Sequence, residues 1–186
     1  MIGLVVIVVI VAVVLFMTVG VYNRLVGLRQ RANQAFADID VQLRQRHDLI
    51  PNLVETVKGY ATHERGTLEA VTAARNAAVS AGSVEGKVQA ENALTGALRQ
   101  LFAVAEAYPD LKANQNFLQL QGELADIENK LAASRRFFNS AVSEFNAAIQ
   151  QFPAVLFART LGFTERQFFD LGDDRATVAE TPQVKF

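Results

Sequence analysis

The hydrophobic pattern predicts an all-α protein. An N-terminal transmembrane helix continues into an antiparallel bundle of long helices, with three long soluble helices and then short C-terminal ones. Three observations carry this. Residues 1–23, MIGLVVIVVIVAVVLFMTVGVYN, hold no charged side chain. Beyond them, large apolar residues recur every seventh position, the spacing at which helices lie against one another. Strand-like alternation is missing until the last few residues. The expected organisation is an anchor over 1–23, a long-helix bundle over 24–152, and a Phe-rich segment of short helices and extended tail over 153–186.

The anchor comes first. About twenty apolar residues at ~1.5 Å rise cross the ~30 Å hydrocarbon layer, and in lipid a single segment satisfies its backbone only as a helix. Ile2, Leu4, Val9, Leu15 and Val21 mark the span. A cleaved signal peptide would want basic residues ahead of the run and a small-x-small site after it; here the run starts at Ile2 and ends TVGVYNRL, which favours a retained anchor. The run is apolar on every side, unlike the single stripe of a surface helix. Arg24, Arg29 and Arg31 follow the span closely and no basic residue precedes it. The positive-inside bias then puts the N-terminus outside and the C-terminal domain in the cytoplasm.

The first soluble helix shows two lines, Phe36–Leu43–Ile50–Val57 and Ile39–Arg46–Leu53–Tyr60. Their phase does not slip across Pro51, so one helix bends there, because the proline removes the hydrogen bond to the carbonyl of His47. Ala61, Leu68, Val71 and Ala78 continue the pattern more thinly, and Gly59 and Gly66 mark the place for a broken turn. SAGSVEG, residues 80–86, is the first clear stop, with Gly82 as a left-handed cap and Ser83 as the next N-cap. A second helix over about 84–108 follows, with Val84, Val88, Leu94, Leu98, Leu101 and Ala105 on one face. Pro109 interrupts. Asn114 or Asn116 caps a third helix of about 39 residues, roughly 58 Å. It carries Phe117, Leu124, Leu131, Phe138, Phe145 and Phe152 on one line and smaller residues on the companion line. From Pro153 a short helix, a stop at Gly162 and a Thr164–Gln167 capping arrangement are expected. This end either folds back over the bundle or offers Phe157, Phe163, Phe168 and Phe169 to a partner chain or the lipid interface.

The chemistry is thin. Net charge is −1, which gives no basic field for nucleic acid, and there is no cysteine for disulfides, thiolate metal sites or a cysteine nucleophile. HER at His63 lacks the second histidine of H-E-x-x-H, since Thr67 stands in its place. His47 and His63 lie ~24 Å apart on a continuous helix, too far to share a metal. Asp40–Arg44 and Asp126–Lys130 have the spacing of surface ion pairs. No catalytic residue, cofactor or metal is expected. Arg46 stands out as the one charge on the seam. It must snorkel or meet a carboxylate, with Glu123, Glu128 and Glu144 as candidates, and it would set helix register.

IDVQLRQRHDLIPNLVETVKGYATHE, YPDLKANQNFLQLQGELADIENKLAASRRFFNSAVSEFN and the span VVIVAVVLFMTVGVYN closely resemble the LemA family of bacterial membrane proteins over nearly the whole chain. The resemblance implies a membrane-anchored bundle of long helices and supplies no activity. Relatives in this family often sit in genomes beside membrane metalloproteases, which implies at most a link to membrane quality control. Where many relatives carry a tryptophan this chain reads AFADIDVQL, and Phe138–Asn139 replaces the usual Tyr-Asn; both are aromatic core variations.

The function expected is therefore a non-enzymatic, self-associating scaffold of the bacterial cytoplasmic (inner) membrane, in contact with lipid and with copies of itself. The rival is an adaptor that binds one partner membrane protein, such as a protease, through the Phe-rich end. Phe102, Phe137 and that end supply apolar surface that the seams do not use.

Overall fold

A computed structural model describes residues 1–169. It is helical, with no strand among the described residues: α1 Ile2–Lys58, α2 Arg65–Ser80, α3 Val84–Ala105, α4 Pro109–Lys112 and α5 Gln115–Gln150, then a single 3-10 turn at Ala154–Leu156. The extended tail expected after the Phe-rich segment lies outside the described residues.

α1 runs without interruption from the apolar run through Pro51. Its two lines are buried as their spacing requires. Ile39, Leu43, Ile50, Leu53 and Val57 are all inside, and the second line extends back through Ala32 and Leu25. The helix then ends before the lines do. Gly59 and Tyr60 close the last turn onto Glu55 and Val57, Tyr60 is 43% exposed, and a new helix starts at Arg65. Ala61, Leu68, Val71 and Ala78 are nevertheless buried. Their apolar spacing survives because α2 turns back and buries the same face against the same core.

Asn114 caps α5, its Oδ1 accepting from the Phe117 backbone N–H at 3.0 Å, and Ser83 caps α3 through the Gly86 N–H at 3.0 Å. Three details of the expected pattern fail. Gly82 takes no left-handed conformation, since Gly162 alone has positive φ among the described residues; Ala81 ends α2 in extended backbone instead. Phe152 leaves the seam and is 76% exposed, because α5 stops at Gln150. Among the described residues no helix follows Thr164: residues 163–169 are irregular, with Asn146 holding Arg166 from α5. Its Oδ1 accepts from Arg166 N–H at 2.9 Å and its Nδ2 donates to the Arg166 carbonyl at 2.8 Å.

The chain divides into two compact units, Met1–Asp38 with Arg136–Phe168, and Ile39–Arg135 with Phe169. The first, the anchor unit, has a core of Leu25, Phe145, Ala148, Ile149, Ala154, Ala158 and Phe163, with Val21 and Val26 packed against it. Here residues 154–163 fold back on α1 and α5. Tyr22 and Phe163 meet edge to face at 5.7 Å, and Arg29 lies over the Phe163 ring at 5.1 Å. The second, the ionic unit, has an aliphatic core drawn from α1 to α5, including Ile50, Leu53, Val71, Leu94, Leu101 and Leu111. Phe102 packs against it, 6.1 Å from Phe117, so it is not the spare apolar surface that its position off the seams suggests.

Candidate functional site

The ionic unit holds an ion pair and a histidine inside. Arg46 is 1% exposed, and its guanidinium bridges three helices. Nη1 donates to Glu91 Oε2 at 2.7 Å, and Nη2 donates to Thr95 Oγ1 at 2.9 Å and meets Glu128 Oε1 at 2.7 Å. The other Glu91 oxygen lies 2.6 Å from His47 Nε2. Glu91 is 1% exposed and His47 7%. A charge at such depth is tolerable only when neighbouring groups replace the water it lost. Here α1 supplies the bases, α3 a carboxylate and a hydroxyl, and α5 a second carboxylate. Arg46 Nε finds no hydrogen-bond partner among the described residues.

Pro51 contributes in an indirect way. Without an N–H it leaves the His47 carbonyl free of its helical donor, and Arg75 Nε of α2 donates to that carbonyl at 3.3 Å. Four helices thus meet around residues 46 and 47. A cleft of about 330 Å³ opens beside His47, lined by Asp40, Arg44, Asp48, Arg75 and Lys87 among others. Its charges are of both signs, and Lys87 is tied to Asp40 at 2.5 Å. Asp40 therefore pairs with α3 rather than serving only the local Arg44 pairing its spacing suggests.

Of the proposed partners for Arg46, Glu128 meets it. Glu144 pairs with Arg31 at 2.9 Å in the anchor unit, and Glu123 accepts from Gln119 Nε2 at 2.8 Å. Glu91 was missed, although the sequence carries its signal. On the line Val84–Glu91–Leu98–Ala105 it is the one charged position, as Arg46 is on its own line. His63 is exposed in the turn before α2, and no group of three or more potential metal ligands forms among the described residues.

The remaining singled-out residues fall as follows. Ile2, Leu4, Val9 and Leu15 are exposed on every side of α1, and Val21 is half-buried. That helix is long and apolar enough to cross a membrane. Of the candidate partner surface, Phe168 is 48% exposed and Phe157 half-buried. Phe163 and Phe169 are buried, at 3% and 1%. They are core residues and present no docking surface.

Among the described residues, Tyr108 and Arg166 are shifted from their ordinary values. Burial of the Tyr108 phenol, then the charge of Glu64 and the hydrogen bond given to it at 3.2 Å, hold it above 10.0. In the anchor unit, burial and then the neighbouring Arg29 lower Arg166 from its ordinary value.

Comparison with known proteins follows this architecture. Residues 35–186 match the model of the LemA family. The magnetosome protein MamQ of Magnetospirillum gryphiswaldense is 25% identical over 189 residues, covering 88% of this chain and 70% of that protein. Protein LemA of Metamycoplasma hominis is 27% identical over 175 residues, covering 91% of this chain and 78% of its own length. These relatives and the exposed apolar helix near the N-terminus make this a membrane-associated helical protein. The chain belongs to the LemA family.

Proposed function

We propose that the protein is a non-enzymatic scaffold of the bacterial cytoplasmic membrane, anchored by residues 2–23, with its helical domain in the cytoplasm and its copies associated side by side. The observation that supports this reading is the internal use of the Arg46–His47–Glu91 cluster. A general base must reach a substrate proton, whereas the ring nitrogen of His47 is held against a carboxylate that is itself 1% exposed. The groups best suited to proton transfer join helices instead. The names of the relatives carry no reaction either. Arg24, Arg29 and Arg31 just after the span support the cytoplasmic orientation.

Self-association is tested on the full chain in mild detergents and, in cells, with a photo-crosslinking side chain at Phe137, which is 46% exposed on α5. The expected result is an oligomer in every detergent and self-adducts at Phe137. A monomer in all detergents, with adducts only to a different protein at Phe157 or Phe168, would replace the scaffold with the adaptor.

A further inference from the structure

Beyond Gln150 the chain makes a tight turn that is rigid on the inside and apolar on the outside. Val155 N–H donates to the Gln151 carbonyl at 2.9 Å and Phe157 N–H to Ala154 at 2.9 Å. Ala154 and Ala158 point into the core, while Phe152, Val155 and Leu156 are 76%, 51% and 61% exposed. Three large apolar side chains within five residues form a patch, unlike the scattered single residues common on any surface.

The location of the turn identifies what covers it. Within the anchor unit α5 runs antiparallel to α1: Glu144 meets Arg31, and further along, Ala148 and Ile149 share a core with Leu25. α5 ends at Gln150, about six residues past Glu144, a climb of ~9 Å on a helix. The same climb back along α1 from Arg31 reaches about residue 25, just beyond the uncharged run. Val21, inside that run, packs against the cluster that contains Ala154. The exposed patch is therefore close to the level at which the span ends. Tyr22 is half-exposed at this level, where aromatic side chains favour the headgroup region, and Arg24 and Arg159 are exposed nearby in the chain, cations suited to lipid phosphates.

We propose that this turn is a second membrane contact: Phe152, Val155 and Leu156 enter the acyl–headgroup boundary beside the span, so that α5 is held to the bilayer as well as α1. The occupant is lipid, in the manner of interfacial segments, and the proposal rests on the membrane reading of residues 2–23.

The absence of cysteine makes the test direct. Full-length single-cysteine variants Val9→Cys, Leu156→Cys and Ser140→Cys carry an environment-sensitive fluorophore. Each is reconstituted in vesicles of phosphatidylcholine and phosphatidylglycerol, with and without lipids that bear a quencher in the acyl chain. Ser140 is an exposed position on α5 in the same unit. Quenching several-fold greater at Leu156 than at Ser140, with a blue-shifted emission, is the expected result, with Val9 quenched most. If Val9 is quenched while Leu156 and a Val155→Cys variant behave like Ser140, the second contact is wrong and the anchor stands. If Val9 is not quenched, the membrane reading fails and the inference with it.

Discussion

The two units solve the same packing problem with different chemistry. In the anchor unit the contacts are aromatic: Phe36 with Phe138 at 5.5 Å, Phe145 with Phe163 at 6.3 Å, Tyr22 with Phe163. Its ion pair, Arg31–Glu144, has both side chains about half exposed, where solvent screening leaves little net energy. In the ionic unit the core is mostly aliphatic, with Phe102 and Phe117 as an aromatic pair, and the ion pair that matters is 1% exposed on both sides. Apolar packing is non-directional and accepts small slides of one helix on another. A guanidinium fixed between two carboxylates and a hydroxyl does not. On the proposed reading, register is set in the ionic unit and lipid contact is made by the anchor unit; both are open to test.

The largest effect expected is from Glu91→Gln. It leaves Arg46 buried beside a neutral amide, and breaking a buried pair of this kind costs about 3–5 kcal/mol. Thermal unfolding in detergent should fall by roughly 10 °C for a chain of this size. Glu144→Gln in the anchor unit should cost less than ~1 kcal/mol. Equal losses from the two would erase the distinction between the units. Replacing Arg46, His47 and Glu91 together by leucine should restore stability, because well-packed apolar groups often match a buried ion pair. If the triple variant also crosslinks in mixed registers, the charges specify alignment; a single register would reduce them to packing.

The aromatic side of the comparison is tested by Phe145→Ala. The ring is 1% exposed, and its removal should cost about 3 kcal/mol through lost burial and a residual cavity. Hydrogen exchange distinguishes the units: amides of residues 141–149 should lose protection, while those of α3 keep theirs. Loss of protection in α3 to the same degree would show one cooperative block.

Much of this was legible before any coordinates, and for one reason: heptad spacing reports which residues face inward whatever the helices do at their ends. Phe117, Leu124, Leu131, Phe138 and Phe145 are all buried, as are the α1 lines from Ile39 to Val57. What the spacing does not encode is chain direction. Ala61 through Ala78 keep their phase although the helix has stopped and turned back, since a face stays apolar whichever way it runs. Caps with a local oxygen, Ser83 and Asn114, were readable because their partners lie three residues away. The Thr164–Gln167 arrangement failed because Asn146, twenty residues earlier, holds that backbone in an irregular path. The ion cluster was half-visible: Arg46 broke its line conspicuously, whereas Glu91 resembled an ordinary surface glutamate until it was placed opposite.

A smaller effect separates helix from tertiary contact at Pro51. Arg75→Met removes one hydrogen bond to the His47 carbonyl and should cost about 1 kcal/mol. Pro51→Ala returns an N–H to that carbonyl, so the same Arg75 change should then cost less than half as much. The measurement is a double-mutant cycle on denaturant midpoints. Additive losses would mean that Arg75 acts through packing alone.

The least perturbing test is a titration, again one for each unit. In the ionic unit the Tyr108 phenol is held above 10.0 by burial and by Glu64, so the fold favours its neutral form. Unfolded chains lose that proton first. The stabilisation it contributes is complete below the unfolded value of 10.0 and is lost as pH rises from there through the folded value. Tyr108→Phe should remove this component of the alkaline decline, and Glu64→Gln should bring the phenol down towards its ordinary value, read directly by ultraviolet difference absorbance. In the anchor unit Arg166, though lowered, is a guanidinium and stays protonated. An alkaline decline that Tyr108→Phe leaves untouched would show that this phenol does not carry it.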